Sequence, residues 1–329
     1  MTRHEVLPNP SRGPVAVERP DDFDEFWRDS LTYLDRTPAA ATYTRDEILS
    51  GDGVDVYDVR YDSAGGVRVA AWLTVPEGAE QVASLPGILL IPGYISDPTV
   101  AKSWSLRGYA VMSVAPRGKV RALDHVNPGY PGLLVDGVTD PYSATYRSFY
   151  LDVVRGLDLL EQLDVVDAAR IGVHGSSQGG GLAVMLGALR PDSVACLSAG
   201  APYLCGIMDS ARLTLTYPYQ EIREYLSVHP ERFAAVDRTY AYLDVLNLAD
   251  RVVCPAQVYI GMGDDVCPPE TAYELVDRIP GDVEFLTYDG CAHGAGLPWV
   301  SAEIDAFLDA HLHPSAVAQR EHDQIGSNA

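Results

Sequence analysis

The sequence lacks the features that would tie it to a membrane or to a nucleic acid. None of its apolar runs approaches the length of a bilayer span. Its first residues, Met1-Thr2-Arg3-His4-Glu5-Val6-Leu7-Pro8, lack the apolar core of a secretory leader. Positive charge is scarce: 24 Lys and Arg stand against 46 Asp and Glu, a formal net charge of -22. No basic patch is left to neutralise phosphates, which argues against nucleic acid and against an anionic membrane as partners. The acidity reads first as a solvated, soluble surface; adaptation to salt is the sharper alternative. Cysteine is also scarce: Cys196, Cys205, Cys254, Cys267 and Cys291. The number is odd and no CxxC pair occurs, so neither a disulfide framework nor a zinc site is expected. These residues read as small core side chains in a reducing cytoplasm.

The 329 residues are 47% hydrophobic and 21% charged, enough for one large core. Phe23, Phe26, Trp27, Leu31 and Leu34 recur at helical spacing within Pro20 to Arg36, with Asp21 and Asp22 placed to cap that helix. Val54 to Tyr61 alternates, and Val67 to Val75 follows a Gly-rich break, so these two strands read as antiparallel. Compact apolar runs then recur at Gly87–Ile91, Tyr109–Val114, Arg170–His174, Val194–Ser198 and Ala256–Ile260. Such runs suit strands buried on both faces. Helical patterns lie between and after them, at Ser143–Leu163, Gln178–Leu189, Pro269–Arg278 and Trp299–Leu312. Alternating strands and helices predict an α/β fold: a mostly parallel central sheet with helices on both faces. Residues 1–50 read as an N-terminal extension whose helix packs on the main domain or a partner. Residues 51–313 read as the domain, with a Tyr-rich helical insertion over about 203–248. Residues 314–329 read as a disordered tail.

Gly175-Ser176-Ser177-Gln178-Gly179 matches G-x-S-x-G. A strand runs into it and a helix leaves it, which is the context of a nucleophile elbow and marks Ser177 as the nucleophile. A Gly-rich turn without chemistry would share the five letters but not the context. Ser176 is the rival hydroxyl. A serine needs a base, and in this fold the order along the chain is Ser, Asp, His. Of eight histidines, His293 follows the strand Val283 to Tyr288 and precedes the last helix, where the base belongs. The loop after Ala256–Ile260 offers Asp264, with Asp265 as rival, for the acid. The oxyanion donors are expected to be the backbone N–H groups of Gln178 and Tyr94, and the Tyr94 ring to lie near the acyl pocket.

These residues resemble the cephalosporin C deacetylase and acetyl xylan esterase family. The stretches that carry the resemblance are Pro20–Trp27, Gly175–Gly181, Pro202–Cys205, Asp244–Ala249, and Gly261–Asp264 with Cys267-Pro268-Pro269. The resemblance selects Asp264 over Asp265 and pairs Tyr94 with the family's second oxyanion donor. It implies a fold of the α/β-hydrolase type, removal of acetyl groups from small esters such as acetylated sugars or cephalosporin C, and no metal or other cofactor. It also implies a homo-oligomer, a hexameric ring. Tyr203 is a further candidate for substrate contact. Two positions depart from the family pattern: Lys119 stands where Gln follows Arg-Gly, and Gly294 stands where Glu follows the base. A biosynthetic esterase or acyltransferase would use the same residues, and a binding protein on a hydrolase scaffold would use none of them for chemistry.

Overall fold

The structure, a computed structural model, describes residues 15–79 and 84–313. The tail expected at 314–329, and the first part of the N-terminal extension, lie outside the described residues. The strands are β1 (Thr42–Arg45), β2 (Val54–Ser63), β3 (Val67–Pro76), β4 (Leu85–Ile91), β5 (Ala110–Ala115), β6 (Val166–Ser176), β7 (Cys196–Gly200), β8 (Ala256–Gly261) and β9 (Val283–Tyr288). They form one sheet in the order β1-β2-β3-β5-β4-β6-β7-β8-β9. β1, β2 and β3 are antiparallel, β3 pairs antiparallel with β5, and every pair from β5 to β9 is parallel. The chain therefore crosses from β4 back to β5 and then forward to β6, so the ends of β4 and β6 lie side by side.

The helices are α1 (Phe23–Asp35), α2 (Lys102–Ser105), α3 (Thr145–Glu161), α4 (Gln178–Leu189), α5 (Ile207–Leu213), α6 (Gln220–Val228), α7 (Phe233–Leu243), α8 (Pro269–Arg278) and α9 (Val300–Leu312). α3, α4 and α8 cover one face of the sheet, with Val153, Leu157, Leu182, Leu186 and Leu275 in one apolar cluster. α9 covers the other, with Val300, Ile304 and Leu308 against Ile88, Val111 and Tyr259. α1 packs on α3 through Trp27, whose ring stacks on Tyr150 at 5.7 Å. Trp27 Nε1 also donates to the Tyr242 carbonyl of α7 at 3.1 Å, so α1 bridges the core and the segment between β7 and β8.

Two details differ from the sequence reading. Asp22 precedes α1 but its side chain makes no capping hydrogen bond; its carboxylate accepts from Tyr242 instead. β1 was not foreseen, because all four of its residues are exposed and carry no apolar pattern.

α4 is buried along its whole length. Glycines make that possible by close approach. A Cβ at Gly179 would stand 2.1 Å from the Ile91 carbonyl oxygen, at Gly180 2.4 Å from that of Gly200, and at Gly181 1.9 Å from that of Tyr203. Gly294 is the opposite case, with nothing within 4 Å of a Cβ. Gly181→Ala is expected to destabilise the fold by about 3 kcal/mol or more, the upper end of overpacking costs. Gly294→Ala is expected to stay within about 0.5 kcal/mol of the parent. Urea unfolding of both variants checks the pair.

Candidate active site

Strand β6 ends in Ser176, and Ser177 turns the chain into α4 with φ 58 and ψ -120. A non-glycine residue at positive φ is strained and persists only where its surroundings fix it. Here the Ser177 N–H donates to the Gly200 carbonyl at 2.8 Å. The Ser177 carbonyl accepts from Gly181 at 3.1 Å and from Tyr203 at 3.0 Å. The side chain is thereby held at the end of the sheet, over the first turn of α4, where a helix favours developing negative charge. The rival Ser176 is engaged by the Tyr259 hydroxyl.

His293 lies in the loop after β9. Its Nδ1 is 2.8 Å from Asp264 Oδ2 and 3.1 Å from Oδ1. A carboxylate only accepts, so Nδ1 carries the proton and Nε2 presents a lone pair. Asp264 Oδ1 also accepts from the backbone N–H groups of Val266 at 2.8 Å and Cys267 at 2.9 Å. The loop after β8 thus orients Asp264 before it meets His293. Asp265 is exposed and does not join the pair. His174, by contrast, donates from Nδ1 to the Ser198 carbonyl at 3.1 Å, and burial lowers its pKa to about 4.

Ser177 and His293 line one cleft of about 480 Å³ together with Gly93, Asp97, Trp104 and His174. Tyr94 stands differently from expectation: its hydroxyl donates to Glu221 Oε1 at 2.5 Å and accepts from the Leu133 N–H at 3.0 Å. The ring therefore lines a second cavity, about 270 Å³, with Lys119, Gly132, Leu133 and Glu221. Tyr203 is fully buried behind it, the two rings meeting edge to face at 6.2 Å, so its side chain supports the cleft from within and does not line it.

Three residues join the site without having been singled out for it. The Cys267 thiol is in hydrogen-bond contact with the Ser177 side chain. Its place three residues after Asp264 was the available signal. Glu221 accepts from Tyr94 and, through Oε2, from the Leu134 N–H at 2.9 Å; burial raises its pKa to about 7. Lys119, a family departure of unassigned role, is buried and donates from Nζ to the carbonyls of Gly93 and Tyr94, the latter at 2.6 Å. Burial lowers its pKa to about 8. Two residues earlier, Arg117 makes a bidentate pair with Asp152 at 2.8 Å and donates to the Ala64 carbonyl at 2.9 Å. Arg117 anchors the turn after β5, and Lys119 reaches from that turn to hold the loop after β4.

Residues 14–311 match the family model described as acetyl xylan esterase (AXE1). The chain belongs to the acetyl xylan esterase family. It is 27% identical over 290 residues to the acetyl esterase Axe7A of Xylanibacter ruminicola, covering 82% of this chain. The chain spans 62% of that relative's length. Its structure is similar to that of an acetyl xylan esterase from Paenibacillus sp. R4, with TM-score 0.85 and 30% identity over 90% of this chain and 96% of that one. Acetyl xylan esterase 1 from Thermoanaerobacterium sp. JW/SL YS485 shares the fold at TM-score 0.82 and 24% identity, over 89% and 95% of the two chains. No helix among the described residues is long and apolar enough to cross a membrane.

Two measurements probe the supports of this family member's site. Lys119→Met removes the Nζ donor from two part-buried carbonyls and is expected to cost about 1–3 kcal/mol in urea unfolding, with Lys119→Gln costing less. Glu221 has a folded pKa above its ordinary value, so the folded chain keeps a proton that the unfolded chain has released. Its contribution to stability is full below the usual carboxylate range and is lost as pH rises through about 7. Asp244, raised to about 7 by burial, acts in the same direction. Glu221→Gln is expected to flatten the fall of unfolding free energy across that window, read from urea titrations at several pH values.

Proposed function

We propose that the protein is a serine esterase that removes acetyl and other short acyl groups from small esters, acetylated sugars among them. The observation that carries this reading is the strained Ser177 in one cleft with a His293 whose Nδ1 is already held by Asp264. Family membership supports the ester as the bond attacked.

In this reading His293 Nε2 takes the Ser177 proton as the hydroxyl oxygen attacks the ester carbonyl. Asp264 fixes the tautomer and stabilises the imidazolium that forms. The backbone N–H groups of Gln178 and Tyr94 receive the oxyanion; Gln178 opens α4, where the first N–H groups have no partner within the helix. His293 then returns the proton to the leaving alcohol. Water enters, gives its proton to the same nitrogen, and hydrolyses the acyl-serine. Lys119 acts only through the loop that carries the Tyr94 N–H, so it is a positioning residue.

Ser177→Ala is expected to reduce p-nitrophenyl acetate turnover by about 10⁴-fold or more, the scale seen when a triad member is lost. Across p-nitrophenyl esters from acetyl to octanoyl, kcat/KM is expected to fall steeply. A preference for long chains would overturn the short-acyl assignment, and full activity in Ser177→Ala would overturn the nucleophile.

A further inference from the structure

We propose that Asp264, Cys267 and His293 form a binding site for a thiophilic divalent cation such as zinc, which seats on the base and acid of the triad and switches the esterase off. The inhibitory half of this inference rests on the catalytic reading above; the binding half does not.

The donor set is the first argument. One ligand atom from each of the three residues lies within 4.8 Å of the other two. Among the described residues no other group of three His, Cys, Asp or Glu side chains meets that spacing. A tetrahedral zinc has bonds of about 2.0–2.3 Å, hence edges of roughly 3.3–3.8 Å, so small side-chain rotations close the triangle. Sulfur, imidazole nitrogen and carboxylate oxygen are the ligands that zinc takes most readily. The Ser177 hydroxyl, in contact with the Cys267 thiol, or a water from the cleft supplies the fourth position.

Placement is the second argument. Asp264 and Cys267 sit on one short loop, and the Cys267 N–H already bonds Asp264 Oδ1, so two ligands are fixed relative to each other before any ion arrives. His293 and Ser177 open onto the cleft, which gives a hydrated cation a path. Cys267 is buried like Cys196, Cys205 and Cys254, while Cys291 is part-exposed; among the described residues Cys267 is the cysteine grouped with a carboxylate and an imidazole. A surface of net charge -22 concentrates cations around the molecule.

The proton balance follows. Binding breaks the S–H bond of Cys267, sends one proton to solvent, and leaves a thiolate and the Asp264 carboxylate to neutralise the two positive charges. His293 ligates as the neutral imidazole: ligation at Nε2 occupies the lone pair that would take the Ser177 proton, and ligation at Nδ1 moves that nitrogen's proton to Nε2, so in either case it can no longer accept the Ser177 proton.

The test uses the whole chain, freed of metal by chelator and dialysis. Cobalt(II) titration reads the site directly through the thiolate-to-cobalt charge-transfer absorption, with no need for activity. One equivalent of that absorption is expected in the parent, in Ser177→Ala and in Cys291→Ala, and none in Cys267→Ala, Cys267→Ser or His293→Ala. Zinc is expected to inhibit p-nitrophenyl acetate turnover reversibly, with EDTA restoring it. In the Cys267 variants, each measured against its own metal-free rate, half-inhibition is expected to need at least about tenfold more zinc. Persistence of the cobalt band in both Cys267 variants, or its absence from the parent, would overturn the site. Cobalt binding without zinc inhibition would overturn the switch alone. If Ser177→Ala keeps the parent's turnover while the cobalt band behaves as expected, the catalytic reading fails and the metal site stands.

Discussion

Everything at this site depends on how closely α4 is pressed onto the sheet. A helix normally stands off its sheet by the thickness of its side chains. At the start of α4 three consecutive glycines remove that thickness, and backbone meets backbone at Ile91, Gly200 and Tyr203. The chain between β6 and α4 has no room for a relaxed turn, so Ser177 takes positive φ. The strain is local and is held by hydrogen bonds from β7 and the segment after it. β4 and β6 are paired strands, with Ile91 level with Gly175, so Pro92 and Gly93 line the same cleft as Ser177. The place of the proposed nucleophile thus follows from helix packing, and that of the loop of proposed oxyanion donors from strand order.

Around that contact lie buried charges whose value is in shape. Arg117 and Asp152 form a pair that burial would penalise if either stood alone. Together with the Ala64 carbonyl they lock the turn after β5, and that turn aims Lys119 at two carbonyls of the β4 loop. Glu221 does the equivalent from α6, tying Tyr94 to the backbone at 133–134. The loop carrying Tyr94 is held from one side by an ammonium and from the other by a carboxyl. Gly132 belongs to this clamp, since a Cβ there would stand 2.3 Å from the Glu221 carboxyl. Lys119 therefore makes its hydrogen bonds to the loop at the cost of a buried charge.

The sheet and the triad candidates were legible because their signals are local. Strands β4, β5, β7 and β8 are short apolar runs, β6 carries one in its second half, and α4 and α8 begin at the glycine and proline punctuation that the sequence displays. Ser177, His293 and Asp264 were found from chain order and from the elements that precede each one. What was illegible depends on contacts across distant segments. β1 has no apolar alternation and exists because β2 offers it a hydrogen-bonding edge. Asp22 turns from its own helix to Tyr242, 220 residues away. Tyr94 reads as an aromatic near the acyl pocket and Tyr203 as a candidate for substrate contact, but the direction of a ring is decided by a partner: Glu221 holds the first at the second cavity, and the core encloses the second.

Cys267 was read as a small core residue, and in one sense the structure agrees, since it is buried and pushed firmly toward the thiol form. That state suits a neighbour of the proposed serine nucleophile. A carboxylate in the same place would hold the Ser177 proton by a strong charge-assisted bond and compete with His293 for it. A thiol offers only a weak acceptor, so the hydroxyl can be oriented in the resting state without its proton being captured. The same softness makes sulfur a better ligand for zinc than a second hydroxyl would be. On the proposed roles, one atom beside Ser177 would therefore favour proton transfer to His293 while the cleft is free of metal, and would offer a thiophilic ion its anchor when one enters.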